Sequence, residues 1–419
     1  MKDSRMRKTF LPFSPPSIGE EEIAEVVDTL RSEWITTGPK VKRFEQEFAG
    51  AVNAPAALAV NSCTAALHVA LVTLGIGPGD AVITTPMTFC STVHVIEHVG
   101  ARPILVDVEP GTLNLDPIRV REMLARLRSK SGKNGPRVKA IIPVHLYGHS
   151  CDMDAFVEIA SEYGCALIED AAHALPAEYK GRKIGSLGGH APVPVLTCFS
   201  FYATKNMTTA EGGMLAGKAN LLEEARVWSL HGMNRDAWRR YGREGTWNYD
   251  VAHPGFKYNM TDIQAALGLH QLKKLDAFHL RRREIAARYN QAFRAFGELE
   301  TPTERAWAGH ACHLYVLRLN PERLAISRNQ FISELQARNI GTSVHFIPIH
   351  LLSYYREKYR YSPADFSIAY SQYQRIISLP CSPRMQEQDV EDVINAVTDL
   401  VGEHTRLSGS RRAVAATRS

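Results

Sequence analysis

Between Ala56 and Gly217 short apolar runs alternate with amphipathic stretches, a pattern that leaves few folds open. Ala56–Val60, Ala81–Ile83, Pro103–Val106, Ala140–Val144, Ala166–Ile168, Val195–Phe199 and Gly213–Leu215 read as strands. Among the intervening stretches, Thr64–Leu74, Ser91–His98 and Met153–Tyr163 carry helical spacing, the last stopped by Gly164, a residue that readily adopts the left-handed turn closing a helix. Strand and helix in alternation predict an α/β fold, a mainly parallel seven-stranded sheet flanked by helices. Chemistry in such sheets gathers at the carboxyl ends of the strands, where Asp170 falls.

Beyond the sheet, Lys218–His231 reads as a helix, Asn234–Pro254 as a polar aromatic loop, and Met260–Phe296 as a long helix capped by Thr261. A strand at His313–Leu319, a helix at Ser327–Asn339, a strand at Thr342–Phe346 and helices at Pro363–Ile377 and Gln386–His404 predict a smaller C-terminal α+β domain. The expected organisation is an N-terminal segment (1–35), a large domain (36–270), a small domain (271–405) and a disordered tail (406–419). A hydrophobic content of 45% with 22% charged residues suits such a cored protein and argues against global disorder. The net charge of +5 is small for 419 residues and no DNA-reading motif is spelled, so a cleft for a small anion is expected rather than nucleic acid. Seven cysteines without a C-x-x-C pair read as reduced thiols of a cytoplasmic protein. No apolar run approaches a membrane span, and Met1–Phe13 lacks the apolar stretch of a signal peptide.

Two side chains suggest the chemistry. Lys205 follows the aromatic run Cys198–Tyr202 and precedes a small, polar loop reaching Gly212-Gly213, while Asp170 closes the run Cys165–Ile168 with Glu169. An amine that can hold an aldehyde as a Schiff base and a carboxylate that can keep a pyridine nitrogen protonated are what pyridoxal phosphate chemistry needs. Plainer readings exist: a solvated surface lysine, and a helix-capping or ion-paired aspartate. Asn61-Ser62-Cys63-Thr64 opens a helix after a strand, so its N–H groups can hold a phosphate, or Ser62 is a simple cap. Ser200 can add a hydroxyl there. His173 sits near the ring or in the core, and Phe89 stacks on a ring or packs in the core. His94-Val95-Ile96-Glu97-His98 matches a zinc-protease spelling, but no third ligand is marked and no metal is expected. His345 and His350 can line a substrate entrance.

Taken in order, Pro15–Glu22, Trp34–Pro39, Asn61–Leu67, Pro143–Gly148, Glu169–Ala174, Phe199–Asn206, Glu211–Gly213, Tyr258–Ala266 and Ser378–Pro380 resemble the DegT/StrS-type sugar aminotransferases. The resemblance runs from about Phe13 to Val401 and implies the aspartate aminotransferase-like fold type I. It implies pyridoxal 5'-phosphate as cofactor, with Lys205 forming the internal aldimine and Asp170 pairing with the pyridine nitrogen. His173 would lie near the ring, Phe89 would stack on it, and Cys63, Thr64 and Ser200 would hold the phosphate. It also implies a homodimer with shared active sites, in which a partner-chain segment reaches the phosphate. Lys257 stands where many members carry Asn, and Cys63 where Gly is usual. The implied substrates are a nucleotide-linked keto sugar and an amino donor, glutamate in this family. A dehydratase of the same fold replaces the lysine with histidine, so Lys205 argues against it. The remaining rivals are a cofactor-binding regulator and a metallohydrolase built on His94 and His98.

Overall fold

The computed structural model describes residues 7–130, 137–233 and 249–406. Most of the polar loop Asn234–Pro254, nearly all of the tail 406–419 and the centre of the stretch 129–139 fall outside them. Two helices, α1 (Glu20–Arg31) and α2 (Pro39–Ala51), precede the sheet. In α1 the apolar residues Ile23, Val26, Val27 and Leu30 recur at helical spacing, yet the residues it buries are polar, Glu22 and Thr29. Glu22 is held by Lys274 Nζ and Gln271 Nε2, both at 2.8 Å.

In chain order the strands continue as β1 (Ala56–Val60), β2 (Asp80–Thr84), β3 (Arg102–Leu105), β4 (Arg137–Ile141) and β5 (Ala166–Asp170). A small hairpin, β6 (Glu178–Tyr179) and β7 (Arg182–Lys183), separates these from β8 (Val195–Ser200) and β9 (Gly213–Gly217). The large sheet has seven strands in the order β1-β9-β8-β5-β4-β2-β3. Only β9 runs against its neighbours; β8, β5, β4, β2 and β3 pair in parallel. Every residue of β2, β5 and β9 is buried, as expected for strands covered on both faces.

One face packs α2 and α6 (Met153–Tyr163) through Phe44, Phe48, Phe156, Phe199 and Phe201. The other carries α3 (Cys63–Thr73), α4 (Ser91–His98) and, after α5 (Pro117–Lys130), α7 (Ala219–Ser229). Ala65 to Leu71 of α3 are buried without a break, because this helix lies between the sheet and α4 and α7. Its apolar character all round is the mark of a helix with no solvent face.

The 32-residue helix α8 (Asp262–Phe293) starts in the first core with Ala265 and Leu269 and ends in a second with Ile285, Tyr289 and Phe293. Thr261 caps it, accepting from Gln264 N–H. The second core covers a three-stranded antiparallel sheet of β10 (Leu299–Glu300), β12 (Tyr315–Leu319) and β13 (Ile376–Leu379), while β11 (Ala308–Gly309) joins the β6–β7 hairpin. Helices α9 (Arg328–Ala337), α10 (Ser353–Tyr359), α11 (Ser367–Tyr373) and α12 (Glu387–His404) complete the described chain.

Three expectations are corrected. Thr342–Phe346 is not a strand: only Ser343 pairs, with Ser378, and the chain then turns so that His345 Nδ1 meets Ser378 Oγ at 2.8 Å. Pro363–Ile377 is not one helix, because Ile376 and Ile377 are fully buried strand residues of β13 opposite Arg318 and Leu317. The strand read at Ala140–Val144 begins at Arg137 and ends at Ile141, and Val144 keeps a single bridge to Asp170.

Candidate active site

A cavity of about 490 Å³ opens at the carboxyl ends of the parallel strands. Asp170, the last residue of β5, lies in it at 4% exposure. Thr92 in the first turn of α4 donates to its Oδ2 at 2.7 Å, and the Ala172 N–H donates to its Oδ1 at 3.1 Å. Burial raises the Asp170 carboxyl above its ordinary range, opposed by those two hydrogen bonds and by Lys205. A cation facing this carboxylate would restore its charge.

Lys205 lies in the turn after β8, its N–H donating to Tyr202 O at 2.9 Å. Burial pushes its ammonium down to about 8, against the pull of Cys63 and Asp170. The amine is therefore a group that can take and release a proton near neutral pH.

At another side of the cavity α3 begins. Ser62 is its cap, accepting from Ala65 N–H at 3.1 Å, which leaves the first N–H groups of the helix, those of Cys63 and Thr64, without intrahelical acceptors. Capping and anion binding are thus compatible here. A Cβ on Gly213 would sit 2.4 Å from the Ser62 carbonyl carbon, so β9 meets the start of α3 backbone to backbone. Only glycine permits that approach. Ser200 and Thr64 line the same cavity. The Cys63 thiol points to Cys198 O at 3.6 Å, and burial holds it protonated.

Phe89 is 58% exposed, which overturns its reading as a core residue; it lines the cavity 5.9 Å from the ring of Phe346. His173 is buried at the cavity wall, its Nδ1 accepting from Tyr147 N–H at 3.2 Å. His345 is a wall residue, but His350 is not: it is fully buried, packed on Phe366, with neither ring nitrogen bonded. Lys257 is exposed and does not line this cavity; its backbone pairs with Leu230. His94 stacks on Tyr355, and Glu97 is engaged by Lys358 and Tyr359. Among the described residues no group of three or more His, Cys, Asp or Glu is arranged to hold a metal. Thr92, Asn206, His313 and Phe346 are missed by the sequence reading, since nothing local marks a residue whose partner is distant in the chain.

Residues 16–398 match the DegT/DnrJ/EryC1/StrS aminotransferase family. The chain belongs to this family. SpsC, the spore coat polysaccharide biosynthesis protein of Bacillus subtilis strain 168, is 50% identical over 397 residues, spanning 94% of this chain and 98% of its own. Among solved structures, the PLP form of Spr1654 from Streptococcus pneumoniae, assigned as a sugar aminotransferase, is similar with a TM-score of 0.83 and 34% identity over 94% of this chain and 99% of that one. PseC of Helicobacter pylori, an aminotransferase involved in pseudoaminic acid biosynthesis, gives a TM-score of 0.83 at 25% identity over 94% and 100% of the two chains. This DegT/DnrJ/EryC1/StrS member is thus a pyridoxal phosphate-dependent sugar aminotransferase of α/β fold. Its cavity fits the cofactor: an amine, a buried carboxylate and a helix start pressed against a glycine strand are present together.

Proposed function

We propose that the protein moves the amino group of an amino acid, L-glutamate, to the keto carbon of a nucleotide-linked hexose. One observation carries this reading: Lys205, Asp170 and the open first turn of α3 surround a single cavity at the strand ends. Bound pyridoxal phosphate supplies a carbonyl that accepts the amine and a ring that withdraws electrons from the bond being broken. Lys205 would hold the group covalently, and its Nζ would move the proton between substrate carbon and cofactor carbon in each half of the transfer. Asp170, held by Thr92 and Ala172, keeps the ring nitrogen protonated. The Cys63 and Thr64 N–H groups, with the hydroxyls of Thr64 and Ser200, hold the phosphate. Phe89 would stack on the ring, and His173 would lie near it.

Two features support a sugar substrate, and the nucleotide link is the part that the family resemblance adds. The cavity volume of about 490 Å³ is that of a small-molecule site with room beyond a cofactor. Relatives named for polysaccharide and pseudoaminic acid biosynthesis act in sugar metabolism. Lys257, outside its own cavity, is assigned to the phosphate of a second subunit, which makes the working form a homodimer. Seven free cysteines, five of them buried, fit the reducing cytoplasm, and among the described residues no helix is long and apolar enough to cross a membrane.

The test is to incubate the cofactor-loaded enzyme and glutamate with UDP- and dTDP-linked keto-deoxyhexoses and identify products by mass spectrometry and NMR. An aminated sugar nucleotide with matching α-ketoglutarate is expected. Conversion of glutamate without amination of any sugar would remove the nucleotide-sugar reading.

A further inference from the structure

The cavity wall beside Lys205 holds two histidines whose proton positions are fixed from behind by different partners. Asn206 sets the first. Its side-chain Nδ2 donates to Leu175 O at 2.7 Å and to Ala311 O at 3.0 Å, so the atom left to face His313 Nδ1, at 3.0 Å, is Oδ1. Flipping the amide would set an oxygen against two carbonyls. An amide oxygen only accepts, so His313 Nδ1 carries the hydrogen.

His313 is 5% exposed and held neutral, its pKa pushed well below the usual range by burial and then by His173 and Lys205. A neutral imidazole has one N–H, so the Nε2 of His313 is a bare lone pair. No protein donor among the described residues satisfies it, and His313 lines the cavity. His173 is the reverse case. Its Nδ1 accepts the Tyr147 N–H, so its single hydrogen is on Nε2. The two rings lie 4.4 Å apart, one offering an N–H and the other a lone pair.

A lone pair next to Lys205 selects for a hydrogen-bond donor and against carboxylate or phosphate oxygens. We propose that His313 is a positioning residue for the sugar: its Nε2 accepts a hydrogen bond from a hydroxyl of the keto hexose and orients the ketone toward Lys205. This rests on the nucleotide-sugar reading above and adds the group that distinguishes a hydroxylated ketone from a plain keto acid. Asn206 acts through His313 by fixing its tautomer.

The test combines a spectroscopic and a kinetic readout. In holoenzyme labelled with ¹⁵N-histidine, the His313 signal, assigned by its loss in His313→Asn, is expected to show Nδ1–H and a bare Nε2. An Nε2–H signal overturns the proposal whatever the kinetics. The kinetic arm starts from the amine-loaded enzyme and compares kcat/KM for the UDP- or dTDP-linked keto-deoxyhexose turned over by wild type with that for α-ketoglutarate, which has no hydroxyl. His313→Asn can still donate toward Asn206 but has no acceptor at the Nε2 position, while His313→Gln carries one there. Loss of one neutral hydrogen bond predicts that the sugar-to-keto-acid ratio falls about tenfold in His313→Asn and less in His313→Gln. A merely structural role would lower both substrates together and leave the ratio unmoved, which contradicts the proposal. Failure of wild type on every sugar nucleotide overturns the substrate reading and this one with it. A wild type that aminates sugars with an unchanged ratio in both variants overturns this one alone.

Discussion

Burial acts on the two central ionisable groups in opposite senses, lowering Lys205 to about 8 and raising Asp170. Both shifts disfavour charge where water has been removed. For Lys205 this has a measurable consequence in the cofactor-free protein. The reactive neutral amine increases as pH rises toward 8 and saturates above it, so pyridoxal phosphate uptake, followed by absorbance, should accelerate about tenfold per pH unit below that point and then level off. A rate still climbing toward the ordinary lysine value of 10.5 would contradict the burial argument. For Asp170, replacement by Asn removes the charge that keeps a ring nitrogen protonated. Asp170→Asn should lower turnover at least about a hundredfold while the protein stays folded by circular dichroism. Both groups are legible in the sequence because each sits at the end of an apolar strand-like run. Thr92, Asn206 and His313 are not, since their roles depend on meeting Asp170, on two carbonyls, and on a cavity assembled from distant segments.

At the scale of elements, glycine and capping residues fix how helices meet strands. Gly213→Ala would place a methyl against the Ser62–Cys63 peptide and displace the start of α3, with a cost of about 1–3 kcal/mol. Weaker pyridoxal phosphate binding, read by fluorescence titration, should accompany a lowered urea midpoint. An unchanged affinity would show that α3 does not hold the phosphate. A second such device is Asp262, 2% exposed, which opens α8 yet accepts from the N–H groups of Gly38, Lys40 and Val41 at the start of α2. Asp262→Ala strands these donors and should cost about 3 kcal/mol, with Asp262→Asn milder because one oxygen remains. Equal urea midpoints for the two variants would count against that origin. The strands and helices of the large sheet are readable from apolar periodicity because both faces are covered. That signal also runs through α1, at Ile23, Val26, Val27 and Leu30, although the residues buried there are Glu22 and Thr29, and it misreads Thr342–Phe346, where Ser343 alone pairs and His345 and Phe346 turn to the cavity wall. It also misplaces His350, since the spacing of two histidines does not reveal which one the chain turns inward.

At the scale of the molecule, a cavity lined by one chain and a lysine that lies outside it set up a test of subunit sharing. Mixed after denaturation and joint refolding, inactive Lys205→Ala and inactive Lys257→Glu chains form heterodimers with one intact site if Lys257 serves the partner. Random pairing then restores about a quarter of wild-type activity. No recovery, with dimers seen by sedimentation, would place the action of Lys257 in its own chain's site, and a Lys257→Glu chain that keeps wild-type activity would place Lys257 outside the catalytic machinery.

The central claim is that Lys205 is the residue bonded to the cofactor. The protein loaded with pyridoxal phosphate should be coloured, and borohydride reduction followed by peptide mass spectrometry should find one pyridoxyl-phosphate group, on Lys205, and none on that peptide in Lys205→Ala. A colourless protein, or a modified lysine elsewhere with Lys205 untouched, would contradict the account.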